Sequence, residues 1–223
     1  MHPALIAVLS LVSALLFLWL IVLRIVRKMR PVPIPWQVVR FIDNPLRRRV
    51  QNPSKTIDQI GIREKMRVLE LGPGSGFLTV KASRGVGSDG MLYCLDIEPA
   101  LIARLKQKTV KAGLENVALV VGDGQCLPFK DGSFDLAYLV GVLGEIPDKD
   151  RALQELHHVL GQEGVLSISE LLPDPDYPLR QTTITLAGKA GFEPFQQFGN
   201  FFAYTVNFRK EVTYVDQKDH SLP

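Results

Sequence analysis

Arg67-Val68-Leu69-Glu70-Leu71-Gly72-Pro73-Gly74-Ser75-Gly76-Phe77 is the stretch on which the fold of this 223-residue chain turns. Arg67 to Glu70 reads as a short β-branched and apolar strand ending in a carboxylate. Three glycines follow at alternate positions, and Phe77-Leu78-Thr79-Val80 opens a helix behind them. Glycines at that spacing let the backbone turn tightly and approach a bulky ligand with no Cβ in the way. The helix N-terminus then offers unpaired N–H groups to polar atoms of a ligand. Strand, turn and helix together suit a nucleotide-like group.

A dinucleotide fingerprint, G-x-G-x-x-G, would need its third glycine at position 77, which is Phe77. The spacing here is G-x-G-x-G, with Glu70 two residues before the first glycine. This resembles the first motif of the Rossmann-like S-adenosylmethionine (SAM) dependent methyltransferases, whose loop passes beneath the amino-acid end of the cofactor. The resemblance implies a cofactor role for Glu70, Gly72, Gly74 and Gly76. Glycine clusters after strands also occur as plain turns.

Three further segments follow in the order that the resemblance requires. Met91 to Glu98 is a strand candidate ending in an acid. By similarity Asp96, with Ile97 beside it, takes the ribose hydroxyls; the alternatives are a helix N-cap before Pro99, or Glu98 as the ribose ligand. Val117 to Gly124 is a strand ending in Gly-Asp-Gly, and in the family this acid caps the adenine amino group with the adjoining backbone. That implies Asp123 and Gly124, although an aspartate between glycines is also an ordinary turn signal. Gly132 to Gly141 is the next strand, and its end at Val140 should face the cofactor; Asp135 lies at the wrong end to do so.

A helix over Lys149 to Leu160, a turn over Gly161 to Gly164 and a strand over Val165 to Ser169 continue the alternation. The turn lacks the lysine and proline of the family's Lys-Pro-Gly-Gly and keeps its final glycine. Alternating strands and helices predict an α/β fold with a doubly wound, mostly parallel sheet. Leu179 to Gly191 reads as a short helix, followed by strand candidates over Phe195 to Phe198 and Ala203 to Arg209. These look like the terminal antiparallel pair that separates methyltransferases from dinucleotide-binding sheets. The resemblance covers roughly residues 55–210 and is closest to the ubiquinone/menaquinone-biosynthesis and related type 11 methyltransferases.

The amino-terminal fifty residues read differently. Ala4 to Leu23 is twenty residues without a charge, long enough as a helix for about 30 Å of hydrocarbon. A signal peptide would carry basic residues ahead of the run and a small-residue cleavage site after it; here Met1-His2-Pro3 leads and Arg24, Arg27, Lys28 and Arg30 follow. Residues 24–50 hold eight Lys/Arg against Asp43 alone, leaving eighteen bases and twenty-two acids in residues 51–223. The sequence therefore predicts one transmembrane helix, its N-terminus outside and the catalytic domain cytoplasmic, with the bilayer as a partner. Its divisions are an anchor and basic flank (1–30), a proline-rich and basic juxtamembrane segment (31–54), the methyltransferase domain (55–210) and a polar tail (211–223). Arg47-Arg48-Arg49 reads equally as a lipid-headgroup site or a solvated flank. The two cysteines, Cys94 and Cys126, give no disulfide framework.

Methyl transfer from a sulfonium is an in-line displacement, and a general base is needed only when the acceptor must lose a proton. Glu145 follows the strand end where family members place acceptor-side residues; it is a candidate base or positioning group, or simply a cap for a helix near Pro147. His157 and His158 lie deep in a helix and read as structural. The chain lacks the Asn-Pro-Pro-Tyr motif of amino-methylating nucleic-acid enzymes, and its acidic catalytic part argues against a polyanion. The expected acceptor is lipophilic, a quinone precursor or a lipid. The alternatives are a tethered methyltransferase of small thiols or other small molecules, and a SAM-binding scaffold without turnover. No metal is expected.

Overall fold

The computed structural model describes residues 51–172, 174 and 176–211, and, towards the amino terminus, residues 8, 10–15, 18, 19, 22 and 24. The first element is α1 (Pro53–Ile60), started by Asn52, whose side chain accepts from the N–H groups of Ser54 and Lys55, with a proline at the first helical position. Then come β1 (Arg67–Leu71), α2 (Thr79–Val86), β2 (Met91–Asp96), α3 (Pro99–Lys111), β3 (Val117–Val121) and β4 (Phe134–Val140). A 3₁₀ turn (Leu143–Glu145), α4 (Lys149–Val159), β5 (Leu160–Leu171), α5 (Arg180–Lys189), β6 (Phe192–Gly199) and β7 (Ala203–Lys210) complete the order.

The strands form one sheet in the order β3-β2-β1-β4-β5-β7-β6. The first five pair in parallel, and β7 runs antiparallel to both β5 and β6. This is the doubly wound sheet with a terminal antiparallel pair that the strand–helix rhythm predicts. Strands β1 and β4 are mostly buried on both faces because helices cover both. One layer of core gathers Leu69, Leu139, Leu153 and Ile168; the opposite layer gathers Val68, Leu92 and Leu136 with Ile60, Ala82 and Leu105. Since strand side chains alternate, adjacent Val68 and Leu69 serve opposite layers.

Three sequence expectations change. Among the described residues no helix is long and apolar enough to cross a membrane. The single-pass localisation, with the N-terminus outside and the enzyme cytoplasmic, is overturned by that finding. Arg24, read as part of the basic flank, has its guanidinium at the backbone oxygens of Leu172 and Tyr177 on the α/β domain, both at 3.4 Å. Residues 1–7, 9, 16, 17, 20, 21, 23, 25–50 and 212–223 lie outside the described residues. Second, α4 ends at Val159, and the residues read as a turn lie inside β5. The pairing with β4 jumps from Phe134–Leu160 to Leu136–Val165, so Gly161 to Gly164 are accommodated as an irregularity in the ladder. Third, α1 was not foreseen; it packs on the far part of the sheet, where the Asn207 amide donates to the backbone oxygen of Gln59 at 2.8 Å.

Candidate functional site

The strand order reverses between β1 and β4, and in open α/β sheets ligands bind in the crevice outside the carboxyl ends of the strands at such a point. The glycine loop leaves β1 there. Gly72, Gly74 and Gly76 all have positive φ, at 70°, 54° and 71°. At Gly72 a side chain is doubly excluded, because a Cβ would also lie 2.6 Å from a methyl of Val142, beyond the end of β4. The N–H groups of these glycines are already used: Gly72 donates to Leu95 O, Gly74 to the Asp96 carboxylate and Gly76 to Pro73 O. What these glycines contribute is a backbone surface without side chains.

Glu70 does not face this surface. It is 4% exposed, accepts from the Thr79 hydroxyl at 2.7 Å and lies 3.4 Å from the Cys94 thiol, with Tyr138 opposite it in the ladder. Burial raises its pKa above the usual carboxylate range, against the hydrogen bonds from Thr79 and Cys94. The same burial, together with Glu70, pushes the Cys94 thiol well up. Glu70 thus braces the strand to the first residue of α2 from within. Sequence reasoning missed a second brace, Lys108 on α3, whose ammonium donates to the backbone oxygens of Ser75 and Gly76 at 3.0 and 2.5 Å. Nothing local to Lys108 in the sequence marks it.

Asp96 ends β2 at the edge. One carboxylate oxygen accepts from Gly74 N–H at 3.2 Å and the other from Glu98 N–H at 3.0 Å. Burial raises its pKa, opposed by those backbone bonds. The helix cap is Glu98 rather than Asp96, which removes the capping alternative for Asp96. Ile97 and Val121, at the ends of neighbouring strands, are 48% and 52% exposed, unusual for large apolar side chains at a sheet edge. Beyond β3, Asp123 accepts from the backbone and side chain of Gln125 at 2.9–3.0 Å. The Gln125 side-chain oxygen in turn accepts from Asp148 N–H at 2.9 Å, so a residue the sequence did not flag ties the loop to the start of α4. Gly124 lies against Leu71, where a Cβ would meet its methyls at 3.1–3.2 Å.

These residues fit a cofactor made of an adenosine and an amino acid. Two exposed apolar side chains flanked by carboxylates suit a purine with a ribose, since each Asp96 oxygen keeps a lone pair beyond its backbone bond and Asp123 Oδ2 keeps one beyond its bond from Gln125. The side-chain-free loop leaves room for the rest.

The edge has a second half. Val140 and Gly141 end β4, and Gly141 N–H donates to Ser169 O on β5. The 3₁₀ turn places Glu145 half-buried after that exit, and Asp148, not Glu145, caps α4. At the end of β5, Glu170 is 1% exposed and one of its carboxyl oxygens has no hydrogen-bond partner among the described residues. Its pKa is held well above the carboxylate range, first by burial and then by Asp174, with Glu145 and Asp176 adding to the effect and the Leu143 N–H opposing it. His157 packs edge-on against Phe192, 5.2 Å between ring centroids, in keeping with a structural part. Among the described residues no cluster of His, Cys, Asp or Glu could hold a metal ion.

Known proteins resemble the chain in sequence and in fold. A ubiquinone/menaquinone biosynthesis C-methyltransferase of Psychromonas ingrahamii is 33% identical over 152 residues, 68% of this chain and 54% of that protein. A demethylmenaquinone methyltransferase of Staphylococcus aureus is 31% identical over 169 residues, 76% of this chain and 66% of that protein. The chain thus spans about half to two thirds of the length of such relatives. A SAM-dependent methyltransferase structure from Aquifex aeolicus superposes with a TM-score of 0.74 at 22% identity, covering 79% of this chain and 98% of that one, and supports the fold. Residues 62–183 match the methyltransferase-domain family. The chain belongs to that family of SAM-dependent methyltransferases, and its cofactor is S-adenosyl-L-methionine.

Proposed function

We propose that the chain methylates a lipophilic acceptor of the quinone-precursor or lipid class. The observation that carries this reading is the apolar lip of the second half of the edge, where Leu179, Phe201 and Phe202 are 53%, 62% and 62% exposed. Strand β6 runs parallel to β5, so its hairpin with β7 emerges at the same edge as the glycine loop. Large aromatic side chains left in water at a site's mouth favour an apolar ligand. The two relatives named for quinone methylation support the quinone-precursor reading.

Bound at this edge, SAM supplies an electrophilic methyl group on a sulfonium. Asp96 receives the ribose hydroxyls, Ile97 lies beside the adenine, and Asp123 with Gly124 reads its amino group. Gly72, Gly74 and Gly76 leave space for the amino-acid end, while Glu70 and Lys108 keep that loop in place. Val140 lines the boundary between the two halves. Glu145 takes up the acceptor's proton or orients its nucleophilic atom. Much of the rate then comes from holding acceptor and methyl in line.

The test is incubation of the full-length protein with methyl-labelled SAM and a total lipid extract. Label in the organic phase is expected, and mass analysis then identifies the acceptor. Label confined to water-soluble products, or SAM binding with no labelled product, overturns the reading.

A further inference from the structure

Between the start of α5 and the β6–β7 hairpin lies a cavity of about 370 Å³ lined by Tyr177, Leu179, Arg180, Gln181, Asn200 and Phe201. Tyr177 and Phe201 give it an aromatic side. Tyr177 and Tyr204 meet edge to face with centroids 5.6 Å apart. Their hydroxyls are spent elsewhere: Tyr177 donates to Phe201 O at 2.6 Å, and Tyr204 to Pro178 O at 2.9 Å. The two rings are therefore anchored at their polar ends.

Two guanidinium groups stand over those rings. Arg180 lies 5.5 Å from the Tyr204 centroid and Arg24 lies 5.6 Å from that of Tyr177. Arg180 donates to Asn200 O at 3.2 Å and to Phe198 O at 3.4 Å; Arg24 donates to Leu172 O and Tyr177 O. These partners are neutral carbonyls, and a guanidinium has five N–H donors in a planar fork. Asp174 accepts from Asp176 N–H at 2.9 Å, and the backbone of Asp176 packs against Gly144. A planar cation over an aromatic wall, with donors to spare and no carboxylate bonded to it among the described residues, is a receptor for a planar anion.

We propose that this cleft binds the acceptor through a fixed carboxylate, held by Arg180 with the charge of Arg24 adding to it from over the Tyr177 ring, while its apolar chain leaves across Leu179, Phe201 and Phe202. This rests on the methyltransferase reading and deepens it: a neutral quinol would leave both guanidinium groups without a charged partner. The acceptor is then a carboxylate-bearing amphiphile.

Two probes of equal chain length and opposite charge, decanoate and decyltrimethylammonium, test this by calorimetry on the full chain below their micellar concentrations. Decanoate is expected to bind at least about tenfold more tightly, and Arg180→Gln to remove that preference. Phe201→Ser combined with Phe202→Ser should weaken both probes about fivefold and keep the preference, because it shortens only the apolar lip. Arg24→Gln gives an independent reading, a partial loss of preference, if Arg180→Gln lowers the melting temperature too far for titration. Equal binding of the two probes by the unaltered protein, or a preference that survives both arginine substitutions, overturns the proposal. SAM is titrated into the same samples. SAM binding without charge preference defeats the cleft and spares the methyltransferase reading, whereas charge preference without SAM binding does the reverse.

Discussion

The two halves of the sheet edge are built by different means. Over β1 and β2 the site is built on short runs that each carry a pattern of their own: a glycine loop, and a strand-end aspartate, Asp96, bonded to Gly74. Over β5 and the hairpin it is made from side chains far apart in the chain. Arg24 reaches Tyr177 across 153 residues, and Tyr177 and Tyr204 bond to carbonyls 24 and 26 residues away. A cofactor common to a family can be held by backbone shape and a few carboxylates, and such features leave local patterns. An acceptor is read by side chains whose company is decided only once the sheet has formed.

The largest effect that would sharpen this contrast is at Asp96. Asp96→Ala removes a charged acceptor of two backbone bonds, and the SAM dissociation constant is expected to rise by about two orders of magnitude, measured by calorimetry. Arg180→Gln should leave that constant within about twofold, as expected of a residue that touches no part of the cofactor half. A comparable loss of SAM affinity in both variants would break the division into halves.

Gly72 is where the halves touch. A Cβ there would collide with Val142, and φ is +70°. Gly72→Ala should cost about 2–3 kcal/mol in urea unfolding, from the left-handed backbone and the overpacking together. Val142→Ala in the same chain should restore the packing share and not the backbone share, so the double variant lies between the two. Full recovery would mean that the loop tolerates a side chain and that this glycine is not required by its backbone.

What the sequence disclosed follows the same line. The parallel sheet, its antiparallel end and the order of the strand-end acids were legible because period, glycine spacing and strand–helix alternation are local. Lys108 and Gln125 were not, since their partners at Ser75, Gly76 and Asp148 lie 33, 32 and 23 residues away. Glu70 was legible as a member of the motif, but not in its orientation; a strand's sequence tells which residues alternate, not which layer hides the acid. Arg24 was read through the charge pattern around it, and that pattern carries no information about the carbonyls of Leu172 and Tyr177.

Glu170 tests the acceptor half through pH. A carboxyl whose folded pKa is raised contributes stability that is full below its unfolded value, ordinarily 4.5, and is lost as pH rises through the folded value. Glutamine at this position does not titrate. Glu170→Gln should therefore gain on the unaltered protein as pH rises from 5 to 8, by about 1–2 kcal/mol in urea unfolding, because it spares the burial of a charge with an unpartnered oxygen. A difference that stays constant over this range would show that Glu170 is not held protonated by its surroundings.

Arg24→Ala should give the smallest change. Its two hydrogen bonds are long, at 3.4 Å, and its guanidinium lies over the Tyr177 ring rather than against a carboxylate. Loss of about 0.5–1 kcal/mol is expected, the scale of a cation–π contact with partial solvent access. The SAM dissociation constant should not move. The acceptor's KM should rise while kcat at saturating acceptor holds, because a group at the mouth contributes to binding and not to the in-line approach. A fall in kcat with KM unchanged would place Arg24 within the reacting geometry, and the amino-terminal segment would then have to be counted as part of the active site itself.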